Sequence, residues 1–279
     1  MSTLKLTVDS LNVRFVNGKK EMHAVRDVSF TLGREKLAIV GESGSGKSTV
    51  GRSLLKLHPG STQITAKALR FGDVDLLGAS EKAMQKIRGQ RISMIMQDPK
   101  YSLNPVVKVG DQIAEAYLAH HKASRAEARE RVLLMLEKVH IRDPGRVYNL
   151  YPHEVSGGMG QRIMIAMMVI TNPEVIIADE PTSALDVSVR QQVLNVLEEL
   201  VVEQQMGLIF VSHDLNLVRN YCDRVLVMYA GRVVESLAAC DLQYAEHPYT
   251  RGLLAALPSM DNRRPRLPVL QRDPLWLTC

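Results

Sequence analysis

The chain has 279 residues, of which 46% are hydrophobic and 23% charged, and a formal net charge of +5. That length holds one large domain or a core with a sizeable insertion, and the composition is that of an ordinary globular protein. The charge is too modest for a nucleic-acid footprint, and the longest apolar run, Ile163 to Ile170, falls far short of the roughly 18 residues that span a bilayer. Met1 to Lys5 shows no secretory pattern, so a soluble or peripheral cytosolic chain is expected. Cys222, Cys240 and Cys279 stand far apart without a C-x-x-C, which argues against disulfides and a structural zinc site. Arg263-Arg264-Pro265-Arg266 is the densest basic patch, read as a solvated tail or a contact for a membrane surface or acidic partner.

In chain order, residues 4–8, 11–16 and 25–32 read as strands, with Asn17-Gly18 as a turn signal. Lys36 to Val40 reads as a short buried strand, and Thr49 to Lys56 can form a helix. Ile92 to Met96 is a further strand. From about 100 to 160 the pattern is helical; Ala126 to Val139 sets Val132, Leu136 and Val139 on one face, and Arg142-Asp143-Pro144-Gly145 is read as its end. Gln161 to Ile170 predicts a buried helix with Met164, Met167 and Met168 filling core, and His120-His121 reads as surface. Then come a strand at Val175 to Asp179, a helix from about Val187 to Gln204, a strand at Leu208 to Ser212, a helix after His213, and a hairpin turning at Ala230-Gly231. Alternating strands and helices predict an α/β fold with a mainly parallel sheet, interrupted by a helical insertion. Beyond about 237 the chain is polar and proline-rich, and an appendage is expected.

The most telling stretch is Gly41-Glu42-Ser43-Gly44-Ser45-Gly46-Lys47-Ser48-Thr49, which fits G-x-x-x-x-G-K-[ST] between a strand and a helix. Glycines admit backbone conformations closed to other residues, and free N–H groups at a helix start face an anion. Lys47 would reach the β- and γ-phosphates of a nucleotide, and Ser48 would hold Mg²⁺. Asp179 and Glu180 end an apolar strand where ligands of parallel sheets bind. Asp179 would support Mg²⁺ through its water shell, and Glu180 would act as general base on the attacking water. Gln97 could reach metal and water, and His213 the γ-phosphate; the plain alternatives are a polar strand end and a surface histidine opening a helix. Ser156-Gly157-Gly158 opens the buried helix as a second anion site, with simple capping as the other reading.

Together these residues resemble the ATP-binding cassette (ABC) family over roughly 4–236. Gly41–Thr49 matches its Walker A motif, Gln97 its Q-loop, Ser156 to Gln161 its signature, Val175–Glu180 its Walker B, Ser183 to Asp186 its D-loop and His213 its switch histidine. Gln97-Asp98-Pro99 with Ser102 to Pro105, Tyr151 to Glu154 before the signature, and His247-Pro248-Tyr249-Thr250-Arg251 are similar to the oligopeptide/nickel importer branch. The resemblance implies a P-loop NTPase (RecA-like) core with an N-terminal antiparallel β-subdomain. It places a helical subdomain at about 98–160 inside an ATPase domain of 1–236, with a C-terminal extension at 237–279.

It also implies ATP and Mg²⁺ as cofactors, with Phe15 stacking on adenine and Ser48, Gln97 and Asp179 serving the metal. Ser156, Gly157, Gly158 and Asp186 would act on ATP held by a second ABC ATPase, either a homologous chain or another copy. The Met of Ser156-Gly157-Gly158-Met159 is more like one of two paired ATPases. The pair would sit on the cytoplasmic face of the inner membrane beneath two transmembrane permease subunits, fed by an extracytoplasmic substrate-binding protein, with no nucleic acid as partner. Gly160 departs from the branch's arginine, and activity is expected to survive that change. Only Cys279 stands where peptide-importing relatives carry a cysteine cluster, so no iron–sulfur centre is expected and the short tail tilts cargo toward nickel-type members. Peptides, nickel or other metal chelates and related solutes stay open as cargo. The other classes are a soluble ABC-type ATPase acting on nucleic acid or ribosomes, and a phosphate-loop kinase, which has no use for the signature or D-loop.

Overall fold

The computed structural model describes residues 6–18, 20–183, 185–257, 273 and 276. Ala184, the basic stretch Arg263–Arg266 and Cys279 lie outside the described residues. The strands are β1 (Leu6–Asn17), β2 (Lys20–Leu32), β3 (Lys36–Val40), β4 (Thr62–Thr65), β5 (Ala68–Phe71), β6 (Val74–Asp75), β7 (Ile92–Ile95), β8 (Val175–Asp179), β9 (Gly207–Ser212), β10 (Arg224–Tyr229) and β11 (Arg232–Ala238). The helices are α1 (Lys47–Leu54), α2 (Glu81–Gln85), α3 (Pro99–Ser102), α4 (Val109–Leu118), α5 (Arg125–Lys138), α6 (Pro144–Tyr148), α7 (Gly157–Val169), α8 (Val187–Glu203), α9 (Leu215–Tyr221) and α10 (Pro248–Ala255). They group into two units: described residues up to 79 and from 209 onward, and residues 80–208. Among the described residues no helix is long and apolar enough to cross a membrane.

In the first unit, β1 and β2 form one long antiparallel hairpin, paired from Leu6↔Leu32 to Asn17↔Lys20. The strands expected at 4–8 and 11–16 are thus one strand from Leu6, and β2 starts earlier than the expected 25 because the turn pairs its first residues. Ser10 and Asp27 explain the apparent break. Both have positive φ, 56° and 54°, and the register shifts between Val8 and Leu11. Such a bulge moves the buried set from one parity to the other. Leu6 and Val8 are buried before it, Leu11 and Val13 after it. The Ser10 hydroxyl bonds the Asp27 carboxylate across the pair. No strand is expected from the sequence at β4, β5 and β6; their few residues fold as strands because β1 offers an edge to β4 and β5, and β5 in turn pairs β6.

The other sheet of this unit runs β11-β10-β3-β9. β10 pairs β3 in parallel, Arg224↔Leu37 to Val227↔Val40. Strands buried on both faces are apolar without alternation, and Leu37 to Val40 and Val225 to Met228 are all buried. The tail beyond 237 differs from the expected appendage. Residues Ala239–Tyr244 form a 3₁₀ turn, and Ala239, Leu242 and Ala245 are buried at its three-residue period. In α10, Tyr249 and Thr250 are 0% exposed.

The second unit pairs β7 with β8 in parallel, Ile92↔Val175 to Ile95↔Ala178, and carries helices α2 to α8. In α5, Ser124 caps the Glu127 N–H and Ala128, Val132 and Leu136 are buried. Arg142-Asp143-Pro144-Gly145 does not end that helix. It starts α6: Asp143 caps the Arg146 N–H at 3.2 Å, and Pro144 takes the first helical position, where its missing N–H costs nothing. In α7, Met164 is buried while Met167 and Met168 are half-buried.

Helix glycines 110 and 160 should respond oppositely to alanine. A Cβ on Gly110 meets the Tyr148 ring at 2.2 Å, and that ring is pinned by its hydroxyl bond to Asp111 at 3.1 Å. On Gly160 the nearest atom is Pro99 Cγ at 3.7 Å, ordinary contact. In urea unfolding we expect Gly110→Ala to destabilise by about 1–3 kcal/mol and Gly160→Ala to stabilise by about 0.4–1 kcal/mol. Shifts of the same sign for both would contradict this packing.

Candidate functional site

The loop after β3 is shaped by carbonyls that press on it. Gly41 has φ +146° and a Cβ there would lie 2.1 Å from the Met228 carbonyl oxygen. Gly46, φ +100°, would put a Cβ 2.6 Å from the Ala24 carbonyl oxygen. The loop closes on itself through Ser45 N–H to Glu42 C=O at 3.2 Å, and the Gly231 N–H donates to Ser45 C=O at 3.0 Å. Lys47 is 5% exposed and folds back over the loop, its Nζ donating to Gly41 C=O at 2.9 Å and Glu42 C=O at 2.8 Å. The Glu42 N–H donates to the Tyr249 hydroxyl at 3.0 Å.

This loop suits an anion. The first N–H groups of a helix have no acceptor within it, and α1 starts at Gly46 without a side-chain cap. At Gly44 nothing lies within 4 Å of where a Cβ would sit, so the loop's outer surface is open there.

Phe15 is half-buried on β1 with its ring edge-on to His58, centroids 5.5 Å apart. His58 Nε2 lies 3.0 Å from the Ser53 hydroxyl and 3.2 Å from Thr49 C=O. Phe15 is thereby linked to the helix that the phosphate loop opens. His58 was not singled out in the sequence, where a lone histidine after a helix carries no signal. His213 is exposed directly after β9; the neighbouring Asp214 caps α9 through the Leu217 N–H at 3.0 Å.

In the second unit, Asp179 ends β8 and is 3% exposed. Glu180 follows with φ 48°. A left-handed non-glycine residue costs of order 1–3 kcal/mol and persists where its surroundings hold it. Here Gln97, just beyond β7, donates from Nε2 to Glu180 Oε2 at 3.3 Å and to the Ser183 hydroxyl at 3.2 Å, and Ser183 Oγ donates to Glu180 C=O at 3.2 Å. The parallel pairing of β7 and β8 brings these distant residues together.

Ser156 caps α7, its hydroxyl accepting the Met159 N–H at 3.4 Å. Gly158 lies against α8, where a Cβ would come 2.4 Å from Val189 Cγ1. Asp186 caps α8 by accepting the Ser188 and Val189 N–H groups at 3.1 and 3.0 Å. The Val189 N–H and then the Ser188 hydroxyl hold its carboxyl below the usual range. Gly158 and Asp186 therefore meet through Val189, whereas Gln97 and Glu180 form a separate pair.

A strand, glycine loop and helix beside a β-hairpin sheet define a phosphate-loop NTPase. A family profile described as ABC transporter matches residues 25–183. The chain is 47% identical over 259 residues to the dipeptide transport ATP-binding protein DppD of Bacillus subtilis, covering 92% of this chain and 77% of that one. The oligopeptide transport ATP-binding protein OppD of the same organism is 45% identical over 263 residues, with 93% and 74% covered. Among solved structures, the dimeric post-hydrolysis ATP-binding cassette MJ0796 bound to ADP and Pi superimposes with a TM-score of 0.72 at 25% identity, covering 84% of this chain and 98% of that one. CbiO1 from Clostridium perfringens, part of the transporter complex cbiONQ, gives 0.71 at 27% identity, covering 87% and 92%. The chain belongs to the ABC transporter family. It is an ATP-binding, ATP-hydrolysing cassette.

Burial pushes His58 below its ordinary value of 6.5; the Thr49 carbonyl opposes this and Arg52 adds to it. Between the folded and unfolded values the unfolded chain binds more protons, so His58 makes stability fall as pH drops below 6.5. We expect the thermal midpoint to decline between about pH 7 and about pH 5.5, and His58→Gln to flatten that decline. Some slope should persist, because burial also lowers His23 and His120. An unchanged profile in His58→Gln would contradict the assignment.

Proposed function

We propose that this cassette powers the import of peptides or related small solutes, with ATP bound on Gly41–Thr49 and Glu180 as the general base. One observation carries the chemistry: the Gln97 amide is bonded to the carboxylate of a strained Glu180 that directly follows Asp179. Relatives named for dipeptide and oligopeptide transport support the cargo class. A glutathione import protein of Escherichia coli O157:H7 is also 45% identical, though this chain spans only 42% of its length. The tilt toward nickel drawn from the short tail has no support in these names. Nor do they favour a soluble ATPase acting on nucleic acid or ribosomes.

In this reading the N–H groups at the start of α1 hold the phosphates, and Lys47 exchanges loop carbonyls for phosphate oxygens. Glu180 takes the proton of the attacking water, Gln97 orients that carboxylate, and exposed His213 contacts the γ-phosphate. Phe15 presents its ring to the adenine.

Among the described residues no group of three or more His, Cys, Asp or Glu is placed to hold a metal. A hard cation that keeps waters and phosphate oxygens as ligands fits the oxygen donors Ser48, Asp179 (through water) and Gln97. Mg²⁺ bound there would neutralise charge on the phosphates. Ser156, Gly157, Gly158 and Asp186 would serve ATP on a second cassette, a dimeric arrangement supported by the dimeric structural relative. Two permease subunits would receive the helical segment 98–160 at the cytoplasmic membrane face, and an external binding protein would deliver cargo.

Glu180→Gln should leave ATP affinity intact while turnover falls by roughly 10²–10⁴; turnover near wild type would remove Glu180 from the role of base. Lys47→Ala removes charge-assisted hydrogen bonds of about 1.5–3 kcal/mol each. Calorimetric titration with ATP should show weakened binding, and unchanged affinity would displace Lys47 from the phosphates.

A further inference from the structure

The run His247-Pro248-Tyr249-Thr250 marked a family branch in the sequence without any role. In the fold it reaches the phosphate loop. Tyr249 is 0% exposed, and its hydroxyl accepts the Glu42 N–H at 3.0 Å, across 207 residues of chain. Glu42 is the second residue of the loop, and its carbonyl accepts both Lys47 Nζ and the Ser45 N–H. The Gly41–Glu42 peptide thus meets Tyr249 through its N–H and the loop lysine through its carbonyl, and the carbonyl of the next peptide closes the turn.

The tyrosine is itself held in place from several sides. The Glu235 carboxylate on β11 accepts the N–H groups of Glu246 and His247 at 2.7 and 3.3 Å. His247 Nδ1 caps α10 by accepting the Tyr249 N–H at 3.1 Å, and Pro248 occupies the first helical position. The Tyr249 ring packs on Tyr229 with centroids 4.6 Å apart, and the Trp276 ring lies edge-on to both. Tyr229 adjoins Met228, whose carbonyl oxygen presses on Gly41. Ring and hydroxyl therefore brace one wall of the loop. A hydroxyl so buried and so fixed has no surface function, and a phenylalanine would supply the packing equally well.

We propose that Tyr249 is a positioning residue for ATP: its hydroxyl fixes the Gly41–Glu42 peptide, and with it the backbone of the loop, in the phosphate-binding conformation. The segment 239–257 is then a working part of the nucleotide site. This rests on reading Gly41–Thr49 as the ATP loop, so Lys47→Ala serves as the control.

In the full-length chain, Tyr249→Phe should raise the Kd and KM for ATP about two- to tenfold, the factor one hydrogen bond confers. The turnover number at saturating ATP and the nucleotide-free thermal midpoint should stay close to wild type. A merely structural tyrosine would move the midpoint and leave Kd unchanged. If Lys47→Ala weakens ATP and Tyr249→Phe does not, the positioning role is overturned. If neither weakens ATP, the loop reading itself fails and this proposal falls with it. Amide exchange in the wild-type chain decides the matter even if the variant does not fold. The Glu42 amide should be protected relative to Gly44 without nucleotide, and equal exchange at both would overturn the proposal.

Discussion

The Ala24 carbonyl is the constraint on which the first unit turns. It lies between two glycines, so close that a Cβ on Gly46 or Gly231 would come within 2.6 or 2.7 Å of its oxygen. A second carbonyl, that of Met228, meets Gly41 in the same way. The phosphate loop is therefore not a flexible strip between a strand and a helix. It is pressed between β2 and the β10–β11 turn and bonded to that turn by Gly231 N–H to Ser45 C=O, while Arg26 N–H to Gly231 C=O ties the turn to β2. Side chains at the pressed glycine positions would force the backbone walls apart. Preorganised N–H groups cost little reorganisation when an anion arrives, which is what an anion site needs.

The second unit solves a different problem: holding a carboxylate residue in a conformation its backbone does not favour. Glu180 adopts φ 48° at the end of a fully buried strand. Ser183 bonds its carbonyl and Gln97 its carboxylate. The rigid pairing of β7 with β8 supplies the geometry, since both side chains leave adjacent parallel strands at the same edge. Strain at such a place is affordable because the buried core of the sheet supports it.

Much of this was legible in the sequence, and the reason is spacing. Lys36–Val40 and Val175–Asp179 were read as strands with their observed bounds, because each is a short apolar run ended by chemistry-bearing residues. The loop pattern carried its own meaning. What escaped was tertiary in origin. The bulge at Ser10 made one strand look like two. Asp143-Pro144 is ambiguous between stopping and starting a helix until the Arg146 N–H is seen to donate to the Asp143 carboxylate. The tail looked polar because its buried residues Ala239, Leu242 and Ala245 follow the three-residue period of a tight turn, diluted by charged neighbours, and Tyr249 stands beyond them in a separate short helix.

The sequence by itself determined the class of chemistry: a glycine loop with Lys47 and Ser48, a strand ending in Asp179 and Glu180, and a serine-glycine helix start, each interpretable because local backbone geometry is dictated within a few residues. The tertiary structure alone decided which groups meet. That Gln97 finds Glu180, that Gly158 and Asp186 converge on Val189, and that Tyr249 reaches Glu42 across 207 residues depends on strand pairing and helix packing. Those contacts join residues far apart in the chain, and no local pattern encodes them.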